Sequence, residues 1–276
     1  MIQGKYYAID AHCHVYPGKI ADKAREATDH FYGYTSHHTG IVRDLLKTMD
    51  GSGIDHCVVQ YVATSPERVA LTNECIADEV TSSGGRCTGL GTLHQDTEDP
   101  KKEVAYIKEL GLHGVKLHPD IQGFKIDEMR SMRLLAACAE ADLPMLIHTG
   151  DRRYDNSNPD RVLHVLKEFP DLVIVGAHLG GWSIWEEAAE KLCGHPNFYV
   201  DTSSAVCFLK DEVSRHIILD QYGPEHVLFG TDYPMWDPKT EIEHFMSLGF
   251  PEEVNRKILC ENAAKVFRLR VPEQSG

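Results

Sequence analysis

Eight short β-rich runs recur along the chain, and between them the patterning turns helical. The runs are YYAIDAHCHV, IDHCVVQYV, RCTGLGTL, HGVKLH, LPMLIHT, LVIVGAHL, FYVDTS and HVLFGTD. KKEVAYIKELG precedes the fourth, MRSMRLLAACAEA the fifth and PDRVLHVLKEFP the sixth, and several of these stretches end in the Gly or Pro that stops a helix. Strands that alternate with helices run parallel, because a helical crossover returns the chain to the same end of the sheet. Eight such units in 276 residues, 42% of them hydrophobic, fit an α/β fold of the closed (β/α)8 TIM-type barrel, one domain over residues 1–276. An open doubly wound sheet would carry a Gly-rich phosphate loop after its first strand, whereas HCHVYPG follows here. The longest break in the alternation, residues 16–40 with DHFYGYTSHH, reads as a long loop after the first strand, able to cover the barrel mouth.

Charge narrows the partners. Lys and Arg total 28 against 42 Asp and Glu, and the resulting net charge of -14 repels phosphates, which argues against nucleic acid or an anionic membrane surface. The eight cysteines contain no CxxC pair, as expected of a reduced chain. MIQGKYYAID has neither the basic nor the apolar region of a signal peptide, and no run approaches the roughly 18 apolar residues of a membrane span. A cytoplasmic protein, complete as written, is the expectation.

Barrel chemistry gathers at the C-terminal ends of the strands, so the polar residues there carry the functional signal. His12 and His14 close the first strand, His118 the fourth, His148 the fifth, His178 the sixth and Asp232 the eighth. Strand alternation puts Asp10, His12 and His14 on one face, and two imidazoles on one face can share a metal. Imidazole with carboxylate suits zinc or a similar divalent ion. Lys116 shares the barrel-facing side of the fourth strand with His118 and lies one layer deeper, within range of a core carboxylate such as Asp10. Arg152 and Arg153, in TGDRRYDN, are candidates to grip a substrate carboxylate through their planar donor forks. Tyr233, Trp236, Trp182, Phe31, Tyr32 and Tyr34 are candidates for an apolar pocket wall.

HxH followed by His, His and Asp at later strand ends resembles the amidohydrolase superfamily. Within it the chain is similar to the amidohydrolase-related (amidohydrolase 2) group of metal-dependent hydrolases and non-oxidative decarboxylases. DAHCH, GVKLHP, IHTG, GAHLGG, LFGTDYP and ENAAKVFRL stand in that group's order from about Ile9 to Leu269. The resemblance implies that His12, His14, His148 and Asp232 hold one divalent ion, zinc in the first instance and manganese in the second. It further implies that Asp232 moves a proton, that His178 stands beside the reacting group, and that the protein is a homodimer. In binuclear members a carboxylated lysine ends the fourth strand and bridges two metals. Here that residue is His118, so a single metal is expected, with His118 and Lys116 as substrate contacts or His118 as a second-site ligand.

The leading expectation is a hydrolase of a small amide, lactone or ester. The ion lowers the pKa of water towards about 7, Asp232 takes its proton and His178 hydrogen-bonds the oxyanion. The alternative is a non-oxidative decarboxylase of an aromatic or unsaturated carboxylic acid, with the ion on the substrate oxygens and a protein acid protonating carbon. A barrel that binds without turnover is the third reading. The loops carry no motif that names the substrate.

Overall fold

A computed structural model describes residues 1–272. Its strands are β1 (Ile9–His14), β2 (His56–Gln60), β3 (Cys87–Thr92), β4 (Val115–Leu117), β5 (Met145–Ile147), β6 (Ile174–Gly176), β7 (Phe198–Asp201) and β8 (Val227–Leu228). They pair in sequence order, all parallel, in one eight-stranded sheet. The sheet closes where β1 meets the chain at and after β8: Ala11 N donates to Phe229 O at 2.8 Å, Asp232 N to His12 O at 2.9 Å and His14 N to Tyr233 O at 2.6 Å. Every run expected from the sequence is a strand of this (β/α)8 barrel.

The α-helices are α1 (Ala21–Tyr32), α2 (Val42–Ser52), α3 (Val69–Ser82), α4 (Pro100–Glu109), α5 (Pro119–Gln122), α6 (Met129–Glu140) and α7 (Pro159–Glu168). They continue with α8 (Trp185–Leu192), α9 (Asp211–His216), α10 (Pro238–Ser247), α11 (Glu252–Arg256) and α12 (Asn262–Phe267). Proline opens several of them at a position where the missing N–H costs nothing. Among the described residues no helix is long and apolar enough to cross a membrane, and no disulfide joins any cysteine.

Two apolar layers follow from strand alternation. The outer one packs Val59, Val115, Leu117, Ile147 and Val200 against helix residues such as Leu45, Ile76 and Ile107. The inner one fills the barrel with Val58, Leu90, Leu146, Val175 and Leu228, and is plugged at one end by Ala263, Val266 and Phe267 of α12. Asn262 ties that plug to β8, its amide donating to Val227 O at 2.7 Å.

Two expectations change. The pairing of β1 with β2 slips between Asp10 and Cys13, and a bulge of this kind interrupts the two-residue alternation. Ile9 and Ala11 face the inner layer, and Asp10 gathers instead with Cys13 and Cys57. The segment 16–40, expected to be loop, contains α1. Its preceding residue, Ile20, makes no capping hydrogen bond and Ala21 is its one fully buried residue, so neither a cap nor an apolar stripe marks it in the sequence.

Candidate active site

The strand ends converge on a donor cluster. His12 Nε2 lies 3.2 Å from His14 Nε2 and 3.5 Å from Asp232 Oδ1, and His14 Nε2 lies 3.3 Å from the same oxygen. Ligands bonded at about 2.0–2.1 Å to one tetrahedral ion stand roughly 3.3–3.4 Å apart, so these three atoms fit a shared divalent ion. Asp232 follows β8 by four residues and reaches the cluster through a left-handed backbone, φ 62°. Its other oxygen accepts from Ser204 Oγ at 2.6 Å, and that hydroxyl accepts from Trp236 Nε1 at 2.7 Å.

Behind His12 stands Asp201, the last residue of β7. Its Oδ2 lies 2.8 Å from His12 Nδ1, which fixes the ring proton on that side and leaves the Nε2 lone pair facing the cluster. Burial opposes a charge here, but the charge interaction and hydrogen bond with His12, the charge interaction with His178 and the Ser203 hydroxyl hold the Asp201 pKa down to about 2. On the opposite side Lys116 Nζ is 3.2 Å from His12 Nε2, fully buried, and burial lowers its pKa to about 7. Asp10 does not pair with it, because its carboxylate accepts from Thr231 N at 3.0 Å and from the Thr231 hydroxyl.

The second half of the site is made by His148, His178 and His118. His178 Nδ1 is 2.9 Å from Ser203 O and donates to it, which turns its Nε2 lone pair towards His148 Nδ1 at 3.1 Å. The other nitrogen of His148 is buried without a hydrogen bond, 3.6 Å from an equally unpartnered Asp120 Oδ2. A small shift would let Asp120 accept that N–H and free His148 Nδ1 as a donor to an ion. The His118 ring stacks on His148 at 4.0 Å, and its Nδ1 accepts from Ile121 N. Its proton therefore sits on Nε2 and is donated to the Tyr32 oxygen at 2.7 Å, and that oxygen lies 3.5 Å from His148 Nδ1. Burial lowers the pKa of His12 to about 3 and shifts His14, His118 and His148 down as well. Neutral imidazoles are the form in which histidine binds a metal.

The structure thus brings His12, His14, His118, His148, His178, Lys116 and Asp232 to one cavity of about 460 Å³. Within it His148 groups with His118 and Asp120, and meets the His12–His14–Asp232 set through His178, whose ring stacks on His12 at 5.1 Å. Arg152 and Arg153 are not part of the cavity wall: Arg152 donates to Ser183 O, and Arg153 is bound to Asp151. Besides the buried Lys116 amine, Lys23 and Arg68 line it. Phe31 and Tyr32 wall the cavity, whereas Trp182, Trp236 and Tyr34 border a recess behind Tyr32, and Tyr233 is buried against His38. Asp201, Asp120 and Arg68 are absent from the set read in the sequence. Asp201 carries the same strand-end signal as the others, in FYVDTS, while nothing in SPERV marks Arg68.

Comparison with known proteins finds the same fold. A 5-carboxyvanillate decarboxylase from Sphingomonas paucimobilis superposes with a TM-score of 0.72 at 20% identity, covering 96% of this chain and 100% of that one. A dihydroxybenzoic acid decarboxylase from Polaromonas sp. JS666, with bound manganese and 2-nitroresorcinol, gives 0.73 at 17% identity over 98% and 99%. A probable 2-pyrone-4,6-dicarboxylic acid hydrolase from Acinetobacter baumannii, with citric acid bound, gives 0.68 at 16% over 95% and 99%. At these identities the likeness is one of fold. The amidohydrolase family model matches residues 9–269, a span that runs from the start of β1 past α12 and includes every donor described above. On that match the chain belongs to the amidohydrolase family.

Proposed function

We propose that the protein is a metal-dependent, non-oxidative decarboxylase of a small aromatic carboxylic acid. The observation that carries the reading is the make-up of the cavity: a floor of neutral imidazoles beside the Asp232 carboxylate, aromatic walls from Tyr16, Phe31, Tyr32 and Tyr61, and two cations, Lys23 and Arg68. Neither cation forms an ion pair or side-chain hydrogen bond among the described residues, so both are available to an anionic ring substrate. Decarboxylases of such acids, alongside a probable hydrolase of a dicarboxylic acid, are among the structural relatives.

His12, His14 and Asp232 would hold the ion, with His148 as the fourth protein ligand. When bound, one divalent ion, manganese or zinc, supplies fixed positive charge for the substrate oxygens. Replacing a ring carboxylate by hydrogen needs a proton at the vacated carbon. Asp232, its Oδ2 oriented by Ser204, would take that proton from solvent and pass it to the carbon as the C–C bond breaks and carbon dioxide leaves. The buried Lys116 amine borders the same space and would donate to a substrate oxygen, joined by His118, and His178 Nε2, whose lone pair faces the cavity, would accept from a substrate hydroxyl. Hydrolysis is the second reading, favoured by an Asp232 carboxylate whose pKa the hydrogen bond from His14 and the nearby His12 and His178 hold well below normal despite its burial, as a proton acceptor requires.

The test is incubation of manganese- or zinc-loaded protein with hydroxylated benzoates in D2O, following carbon dioxide and ring deuterium. Carbon dioxide release with one deuterium at the vacated carbon is expected. Inertness towards these acids, together with 18O uptake from water into products of a lactone and ester panel, would replace this reading by hydrolysis. Asp232→Asn should retain part of the metal and lose nearly all turnover. Near-normal rates in that variant would remove Asp232 as the proton carrier.

A further inference from the structure

Arg153 stands outside the cavity, yet it is the most heavily engaged cation near the mouth. Asp151, fully buried in the loop after β5, accepts from Arg153 Nε at 3.0 Å and Nη2 at 2.7 Å, and Nη1 donates to Phe31 O at 2.8 Å. Phe31 lies in the last turn of α1, where the helix leaves its carbonyls without internal partners. The guanidinium carbon also sits 4.9 Å from the ring of Phe31, 5.3 Å from Tyr32, 5.2 Å from Tyr154 and 5.4 Å from Trp182. Those rings touch one another, Phe31 stacking on Tyr154 at 5.6 Å and Tyr32 meeting Trp182 at 5.3 Å. One side chain therefore joins the end of α1 to the loops after β5 and β6.

The rest of that helix is held by polar and ring contacts, such as the Ser36 amide and hydroxyl on Asp29 and the rings of Phe31 and Tyr32 against His118, and hardly by the core. The face of α1 carrying Lys23, Ala24, Ala27, Thr28 and Phe31 borders the cavity and not the core. With Ala21 as its one fully buried residue and no side-chain cap, α1 depends on tethers at its ends. At the tethered end its last residue, Tyr32, places its hydroxyl on His118.

We propose that Arg153 is a positioning residue, which clamps Phe31 and Tyr32 to the loop after β5 and so closes α1 over the cavity and holds the Tyr32 hydroxyl on His118. This goes beyond the decarboxylase reading and stands without it, because it is tested on the zinc-loaded protein with no substrate. Hydrogen exchange is compared for the wild type, Arg153→Gln, Arg153→Lys and Tyr32→Phe, and the 15N signal of His118 Nε2, assigned through His118→Gln, is followed in each.

In Arg153→Gln the amides of residues 21–32 should exchange at least tenfold faster while those of the strands keep their rates. Arg153→Lys, which keeps the charge and loses the fork, should fall between that variant and the wild type. Tyr32→Phe should leave α1 as protected as before, since the clamp uses the Phe31 carbonyl and the rings. The His118 signal should move alike in Tyr32→Phe and Arg153→Gln, a change that a residue serving stability alone would not produce. Unchanged exchange over α1, faster exchange spread across the strands, or a His118 signal that stays in place in Arg153→Gln would each overturn the proposal.

Discussion

His12 is held from three directions, by Asp201 at 2.8 Å, Lys116 at 3.2 Å and the backbone of Gly230 behind it. Asp201→Asn keeps the shape and removes the charge that fixes the ring, and metal affinity should fall by about 10- to 100-fold in a zinc or manganese titration. Unaltered affinity would remove Asp201 from that orienting role. A Cβ on Gly230 would meet His12 Cβ at 2.9 Å, so Gly230→Ala should displace the imidazole and lose metal while the circular dichroism of the barrel is retained. The imidazoles were legible in the sequence because each ends an apolar run and precedes a turn. Asp10 was misplaced because alternation was carried through a bulge that no residue in IDAHCH announces. Asp120, two residues after His118, shows no periodic signal, since its value lies in the turn of α5 that brings it to His148. His178 and Asp232 both adopt positive φ, 60° and 62°, and such conformations in non-glycine residues persist where surrounding contacts enforce them.

At the scale of elements, the strands were read correctly because parallel strands buried on both faces appear as continuous apolar runs. Helix α1 was not, for it buries too little to leave a stripe and its inner face is spent on the cavity. The same reason hid the destination of Arg153, which depends on a helix the sequence did not show. Helix α10 carries a testable electrostatic cost. Glu241 is buried in it near Asp232, Asp10 and Asp237, and burial first, then those carboxylates, raises its pKa from 4.5 to about 8. Between those values the native chain holds a proton that the unfolded chain has released, so stability falls as pH rises through this window, by up to about 1.4 kcal/mol per pH unit. Urea denaturation at pH 5 and pH 8 should show that loss in the wild type and a flatter profile in Glu241→Gln. Equal slopes in the two proteins would mean that Glu241 is ionised in the fold.

For the molecule as a whole, the donors bridge its seam. His12 and His14 belong to β1 and Asp232 follows β8, the two ends of the sheet that meet to close the barrel. A bound ion adds to folding stability by mass action, about 2.7 kcal/mol at a hundredfold excess over its dissociation constant. Chelation should therefore lower the melting temperature, and it should raise hydrogen exchange in β1 and around Asp232 more than in β3 and β4. Uniform change along the sheet would mean the ion is held elsewhere. The division between strands and α1 has a further consequence. Every proposed ligand is rooted in the barrel, while the surface that borders the far side of the cavity is a helix that contributes only Ala21 to the core. Descendants of this chain can rewrite what they accept by changing the cavity-facing positions before the last turn of α1, Lys23, Ala24 and Ala27, at little risk to folding and without touching the clamp at Phe31 and Tyr32.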